Sequence, residues 1–207
     1  MLMNSQDVRP LPGQPLPGFA VPVHDSQRVF RGILDAMAHP GKIVELTDLP
    51  DAPKALNKAS VAVCLALVDF ETPLWADDAI SAQAQAVTHI QFHCGCPITT
   101  APEKARFALL SQGTDLTSLK AFCHGTDERP DLSTTVIVQA EGFGGGEDVR
   151  LSGPGIKTET TLSITGVGTG FWQAVRDNAQ RFPRGVDLMI CTDEAIVCLP
   201  RTIEVED

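Results

Sequence analysis

Tyrosine is missing from this chain, tryptophan occurs twice, and aromatic residues make up only 5% of it, so any core must be mostly aliphatic. Positive charge is in deficit. Sixteen Lys and Arg face 26 Asp and Glu, for a net charge of −10 and a pI near 4.9. Nucleic acid and an anionic membrane both need a positive surface and are disfavoured as main partners, although a local basic pocket for an anionic small molecule stays open. Long apolar runs are absent too. The longest, Val61–Val68, falls far short of the roughly 20 residues that cross a bilayer. The first residues, MLMNSQDVRPLPGQPLPGF, carry neither a basic nor an apolar signal region, so they do not read as a signal peptide. The six cysteines (64, 94, 96, 123, 191 and 198) are accordingly expected to be reduced thiols, with Cys64, Cys191 and Cys198 as small core residues. There is no internal repeat, block of like charge or Gly/Ser linker.

What is present fits one globular domain. The 207 residues are 43% hydrophobic and 20% charged, enough for a sizeable core. Residues 1–23 hold five prolines and two glycines and read as an extended arm, leaving residues 24–207 as a single α/β domain. Phe30–Lys42, FRGILDAMAHPGK, organises that domain. Phe30, Ile33, Leu34 and Met37 recur at helical spacing, Asp25 or Ser26 can cap the start, and Arg31 and Asp35 are four apart and able to pair. His39 precedes Pro40, which ends the helix, and Gly41 allows a tight corner before a strand over 42–47. Lys54–Phe70 predicts a helix apolar all round, hence buried, with a strand as the alternative for its second half. Val61, Leu65 and Val68 are expected in the core or at a subunit contact.

Further on, the pattern predicts a strand at 73–75, a helix from Asp77 or Asp78 to His89, short strands at 97–100 and 105–110, and a helix over 114–122. Thr134–Ala140 is a β-branched strand. After a loop at 142–146, Asp148–Ser152 should form a hairpin with it. A helix over 171–181, antiparallel strands at 187–191 and 195–199, and an edge strand at 203–205 complete the chain. Early helices and late pairing strands predict a mixed sheet with helices packed on it.

Several constellations invite chemistry, each beside a plainer reading. His93-Cys94-Gly95-Cys96, with Cys123-His124 downstream, has zinc-ligand chemistry but lacks knuckle spacing; ordinary small residues at a turn are the alternative, and a nucleophilic cysteine would need an adjacent base. Gly142–Gly146 and Gly166-x-Gly-x-Gly170 are not Walker or dinucleotide loops, although the second precedes a helix whose N-terminus could hold an anion. Lys42, Lys54, Lys58, Lys104, Lys120 and Lys157 include no persuasive Schiff-base lysine for pyridoxal phosphate. Arg31, Arg150, Arg184 and Arg201 could bind phosphate or phosphonate through bidentate forks, or form ion pairs. His39, presented by the Pro-Gly corner near a helix C-terminus, could join Arg31 on an anionic substrate. No Ser/His/Asp set stands out, and such sets are recognised only by geometry. The candidates carried forward are Arg31, His39, Arg150 and Arg201 for anion contact; no residue is assigned a catalytic, cofactor or metal role.

The stretches FRGILDAMAHPGK (30–42), ETPLW (71–75), RLSGPGI (150–156), FPRGVDLMIC (182–191) and LPRT (199–202), in this order, resemble the H subunit family of the bacterial carbon–phosphorus lyase system, the PhnH family. The resemblance runs from about His24 to Ile203. It implies a three-layer α/β/α sandwich with a mixed sheet, like the large domain of pyridoxal-phosphate-dependent transferases but without that cofactor. It further implies a cytoplasmic homodimer that joins the G, I and J subunits and, with the ATP-binding L subunit, supports displacement of adenine from ATP by a phosphonate. The expected protein is a structural or co-catalytic subunit that binds neither nucleic acid nor membrane. The alternatives are a stand-alone transferase acting on an anionic substrate, and a metal module around Cys94 and Cys96.

Overall fold

The computed structural model describes residues 14–206, apart from the side chains of residues 117 and 118; most of the proline-rich arm, residues 1–13, lies outside them. Residues 14–19 form no regular element. The Leu16 carbonyl meets His93 Nε2 at 2.8 Å, and Phe19 packs on the core.

Five α-helices are found among the described residues: α1 (Pro22–Ala38), α2 (Lys58–Leu67), α3 (Asp78–Ser81), α4 (Ala84–Cys94) and α5 (Phe171–Ala179). The first six strands are β1 (Val44–Glu45), β2 (Leu74–Ala76), β3 (Phe107–Leu110), β4 (Thr135–Gln139), β5 (Gly142–Ser152) and β6 (Thr160–Thr165). The last three are β7 (Asp187–Cys191), β8 (Ala195–Leu199) and β9 (Glu204–Glu206). They form a six-stranded sheet in the order β1-β8-β7-β4-β3-β2 and a three-stranded sheet in the order β6-β5-β9. Strands β2, β3, β4 and β7 run parallel, while β8 is antiparallel to β7 and to β1.

The pleat sends alternate residues of the large sheet into two cores. Leu109, Ile137, Met189 and Ile196 face α1, α2 and α4. Leu110, Val136, Val138, Leu188 and Ile190 face α5 and the small sheet. The expected α/β class with a mixed sheet holds. The outer layer on the α5 side is shared with an antiparallel sheet, because the chain after β4 does not turn back on β4. Instead β5 pairs with β6 and β9, so the hairpin expected between 134–140 and 148–152 is corrected. The run 142–146 is a register shift inside β5, with Gly144 and Gly145 at positive φ, rather than a free loop.

Other expectations shift in ways that geometry explains. Helix α1 begins at Pro22, and neither Asp25 nor Ser26 is its N-cap; Val21 is. Asp25 reaches back instead, accepting the Val21 N–H at 2.7 Å. The buried face of α1 is Val29, Ile33 and Ala36, whereas Phe30 and Leu34 are 42% and 52% exposed; apolar periodicity alone had placed them inside. Asp35 pairs with Lys42 and His39 rather than Arg31. Helix α2 is apolar throughout, with Ala59–Cys64 wholly buried, which decides against a strand. Val61 and Val68 are core residues, and Leu65 is half-buried against the same core. The helix expected from Asp77 to His89 is two, α3 and α4, the second running on to Cys94 and closed by left-handed Gly95. Residues 97–100 contribute only one isolated bridge, Leu74 to Ile98, and the helix expected over 114–122 is a tighter 3₁₀ helix over Leu116–Ala121.

The Pro40-Gly41 corner packs against the β5–β6 turn. A Cβ on Gly155 (φ +88°) would lie 2.5 Å from the Ala38 carbonyl oxygen and 2.7 Å from Pro40 Cδ, too close for any side chain. Gly113 has a similar φ of +76° but open space around it. Gly155→Ala should therefore cost about 3 kcal/mol, combining backbone strain with overpacking. Gly113→Ala should cost only about 1–2 kcal/mol. Urea denaturation of the two variants checks the difference.

Candidate functional site

Ligands of open α/β sheets bind outside the carboxyl ends of the strands. At that edge of the large sheet a cleft of about 540 Å³ opens, in the range of small-molecule sites. Its lining comes from the segment before α2 (Lys54, Asn57), from α3 and its C-terminal side (Ile80, Gln83), and from the ends of β3 (Ser111, Gln112), β4 (Gln139, Glu141) and β7 (Asp193).

The floor is a knot of amides. Gln139 ends β4 almost wholly buried, 4% exposed. Its Oε1 accepts the Asn57 N–H at 2.6 Å and the Ser60 hydroxyl at 3.0 Å, and its Nε2 donates to the Ala55 carbonyl at 2.9 Å. Asn57 caps α2 by accepting Ser60 N–H, and its Nδ2 donates to the Cys191 carbonyl of β7 at 2.6 Å. The α2 N-terminus is thereby tied to two parallel strands. Lys58 N–H donates to Asp193 Oδ1 at 3.2 Å, so a carboxylate of the chain itself already occupies the position an anion would take at this helix end.

Beside the floor stands Asp77. It caps α3 by accepting Ile80 N–H at 3.0 Å, and its Oδ2 accepts the Ser111 N–H, the Ser111 hydroxyl and the Thr114 hydroxyl at 2.6–2.7 Å. Burial alone would raise its pKa, but these donors, Ser111 foremost, hold it below the usual carboxylate range. An acid so held is a poor general base. Among the described residues the Ser111 hydroxyl bonds to Asp77 and Thr114 and to no histidine, so the Ser/Asp pairing fixes the β3 loop and does not activate a nucleophile. Among the described residues, what the cleft leaves free at its rim is one ammonium, Lys54, together with Gln112 and the Glu141 carboxylate. This suits a polar ligand of little net charge better than a polyphosphate. Nor does the donor set fit pyridoxal phosphate: the one lysine is exposed, and no arginine lines the cleft.

None of the four anion candidates lines this cleft. Arg31 is exposed on α1. His39 closes α1, its Nδ1 2.9 Å from Asp35. Arg150 lies on β5 between Glu159 and Glu206 at 4.0 and 3.8 Å. Arg201 grips Asp187 in a fork, Nε to Oδ1 at 3.1 Å and Nη2 to Oδ2 at 2.5 Å, and donates to the Pro130 carbonyl and the Ser133 hydroxyl. With its side chain only 12% exposed, Arg201 acts as a joint of the fold.

Among the described residues no three His, Cys, Asp or Glu side chains stand where they could hold a metal ion. Cys94 and Cys96 pack on the α2 side of the sheet, whereas His124 lies beside α5 on the other side. The Gly166-x-Gly-x-Gly170 run is a close approach: Cβ atoms at 166 and 168 would meet the Glu141 N and the Thr114 O at 2.6 and 2.4 Å. The residues that build the cleft, Asn57, Asp77, Ser111 and Gln139, were not singled out from sequence as a site. Two had a readable signal: Asn57 is a capping residue just before an apolar helix, and Gln139 is a lone amide at the end of a β-branched strand.

A family model described as bacterial phosphonate metabolism protein (PhnH) matches residues 17–206. An alpha-D-ribose 1-methylphosphonate 5-triphosphate synthase subunit PhnH of Rhizobium meliloti (strain 1021) is 39% identical over 188 residues, which is 91% of this chain and 94% of that protein. A putative C-P lyase subunit protein HtxG of Stutzerimonas stutzeri is 28% identical over 179 residues, 86% of this chain and 85% of that one.

Two outcomes test the local physics. Arg201→Ala should destabilise the fold by about 2–3 kcal/mol by leaving Asp187 and Ser133 unpaired, and Arg201→Lys should recover little because it lacks the fork. His89 on α4 is fully buried with neither ring nitrogen partnered, and burial, then neighbouring His93, pushes its pKa down to about 4. The folded state thus favours the neutral ring. Its contribution is intact above about pH 6.5 and is lost as the unfolded chain takes up a proton between there and pH 4, by at most about 3 kcal/mol. Chemical denaturation across that window should show a shallower pH slope for His89→Leu than for the parent.

Proposed function

The chain belongs to the PhnH family of bacterial phosphonate metabolism proteins, and from that premise we propose that it is a subunit of a carbon–phosphorus lyase system, acting in the complex that makes ribose 1-methylphosphonate 5-triphosphate. In that reaction a phosphonate oxygen bonds to C1 of the ribose of ATP as the bond from C1 to adenine breaks, and adenine leaves with a proton. The observation that carries the reading is the 39% identity, over nearly the whole of both chains, to a subunit of that synthase. The cleft supports a co-catalytic role. Among its described residues it offers a rigid amide floor and no activated nucleophile, its free groups are confined to the rim, and its α2 N-terminus is already met by Asp193. It would hold the uncharged part of a nucleotide, leaving the triphosphate to groups on other subunits.

The partners in this proposal are a second copy of the chain and the G, I and J subunits, with the ATP-binding L subunit during synthesis. Helix α1 presents Val23, Phe30 and Leu34, 79%, 42% and 52% exposed, along one face at positions i, i+7 and i+11; an apolar helical stripe left uncovered suits such a contact. No described helix is long and apolar enough to cross a membrane, which agrees with a cytoplasmic complex. The parallel strands β2, β3, β4 and β7, with a cleft at their carboxyl ends, support likeness to the large domain of pyridoxal-phosphate-dependent transferases. Arg31, His39, Arg150 and Arg201 keep a role in anion contact only where a partner subunit completes the site.

Co-expression of the tagged chain with its G, I and J partners should yield one stoichiometric complex by size-exclusion chromatography and mass determination. With the L subunit, ATP and methylphosphonate, that complex should release adenine, and the isolated chain should not. A chain that ignores those partners, or that releases adenine alone, overturns the proposal.

A further inference from the structure

On the face of the sheet opposite α2, a second and much smaller cavity of about 120 Å³ lies between the 3₁₀ helix Leu116–Ala121 and α5. Its polar groups divide into those already engaged and those left over. Asn178 is engaged: its Oδ1 accepts the Val186 N–H and its Nδ2 donates to the Val186 carbonyl. Asp177 accepts from Gln173 at 2.8 Å. Left over are His124, whose two ring nitrogens are inaccessible to solvent and without a hydrogen-bond partner, and the side chains of Lys120 and Arg181, for which no ion pair or hydrogen bond is found among the described residues. Burial, then the Arg181 charge, holds the His124 pKa below its ordinary value, more strongly than the nearby Leu119 carbonyl raises it. Leu116, Leu119 and Ala174 supply an apolar wall.

All three unspent groups can donate hydrogen bonds, and two are permanent cations against the single carboxylate of Asp177. Only the His124 ring nitrogens are buried donors without an acceptor, which is costly; Arg181 is half-buried and Lys120 exposed, and a ligand bringing acceptors and negative charge suits all three. A cavity of roughly 150 Å³ elsewhere admits benzene, with six heavy atoms; this one has room for about five, which excludes a nucleotide and fits a tetrahedral oxyanion. We propose that the cavity bounded by Lys120, His124 and Arg181 binds a small tetrahedral oxyanion, inorganic phosphate or methylphosphonate. The methyl group of methylphosphonate would lie against Leu116, Leu119 and Ala174 while its three oxygens meet the donors. The inference stands on this cavity alone, so failure of the chain to assemble with partners leaves it untouched.

The test is calorimetric titration of the full-length chain with inorganic phosphate and, separately, methylphosphonate, followed in parallel by the histidine ring resonances. Saturable one-site binding of at least one probe is expected, with the His124 ring signals moving on saturation. Arg181→Ala and Lys120→Ala should each weaken binding by about tenfold or more, the loss of one charge-assisted hydrogen bond, and Lys54→Ala, in the large cleft, should leave it unchanged. Lys120 is exposed, so its variant carries the test should Arg181→Ala fold poorly. No saturable binding of either probe, or binding undiminished in both cavity variants, overturns the proposal.

Discussion

The architecture turns on one buried amide. Gln139 ends the central parallel strand at 4% exposure, and an amide there is tolerable only if its hydrogen bonds are made. The segment entering α2 makes them: Asn57 N–H, the Ser60 hydroxyl and the Ala55 carbonyl all meet the one side chain. Satisfying Gln139 therefore fixes where α2 starts and how it lies under the sheet. Asn57 extends the tie to β7, so the helix is registered on two strands at once. An aliphatic core is non-directional, and helix α2, apolar on every side, carries no face of its own to orient it. The amide knot supplies that orientation.

The same knot decides what the cleft can accept. A free helix N-terminus at the carboxyl edge of a sheet is a ready anion site. Here Asn57 takes the Ser60 N–H and Asp193 takes the Lys58 N–H, so the positive end of α2 is spent internally. Asp77 is treated likewise, its carboxylate given over to Ser111 and Thr114. A site whose floor groups are engaged, with only Lys54, Gln112 and Glu141 left free at its rim, is stiff and has a chemically quiet floor. That is the expected character of a wall that positions a ligand while another subunit performs the chemistry.

How much of this was legible in the sequence depended on the type of signal. Strongly patterned segments were readable: β4 from its β-branched run, β7 and β8 from paired apolar stretches, α5 from its period. The partner of β5 was not, because strand pairing depends on where the chain travels after β4, and Thr160–Thr165 has too little apolar contrast to announce a strand. The buried face of α1 was misplaced by one position, since Phe30 and Val29 are equally apolar and only packing chooses between them. The arginines were named as anion ligands by residue type alone; Arg201 shows the weakness of that inference, for the fork that suits a phosphonate suits the Asp187 carboxylate equally well.

The stretches that carried the family resemblance prove to be joints. The AHPG corner meets the SGPG turn, where Gly155 and Gly41 come so close to Ala38, Leu151 and Thr160 that a side chain would collide. LPRT and GVDL meet through the Arg201–Asp187 fork. Such contacts constrain residue identity tightly because backbone approach and bidentate geometry each admit few alternatives. A sequence can thus declare its family through the places where it folds while its binding surfaces, built from common amides and lysines, pass unnoticed. Lys120, His124 and Arg181 belong to the second kind. Lys120 and His124 stand four residues apart and Arg181 far from both; ordinary one by one, they share a cavity only once the 3₁₀ helix and α5 come together.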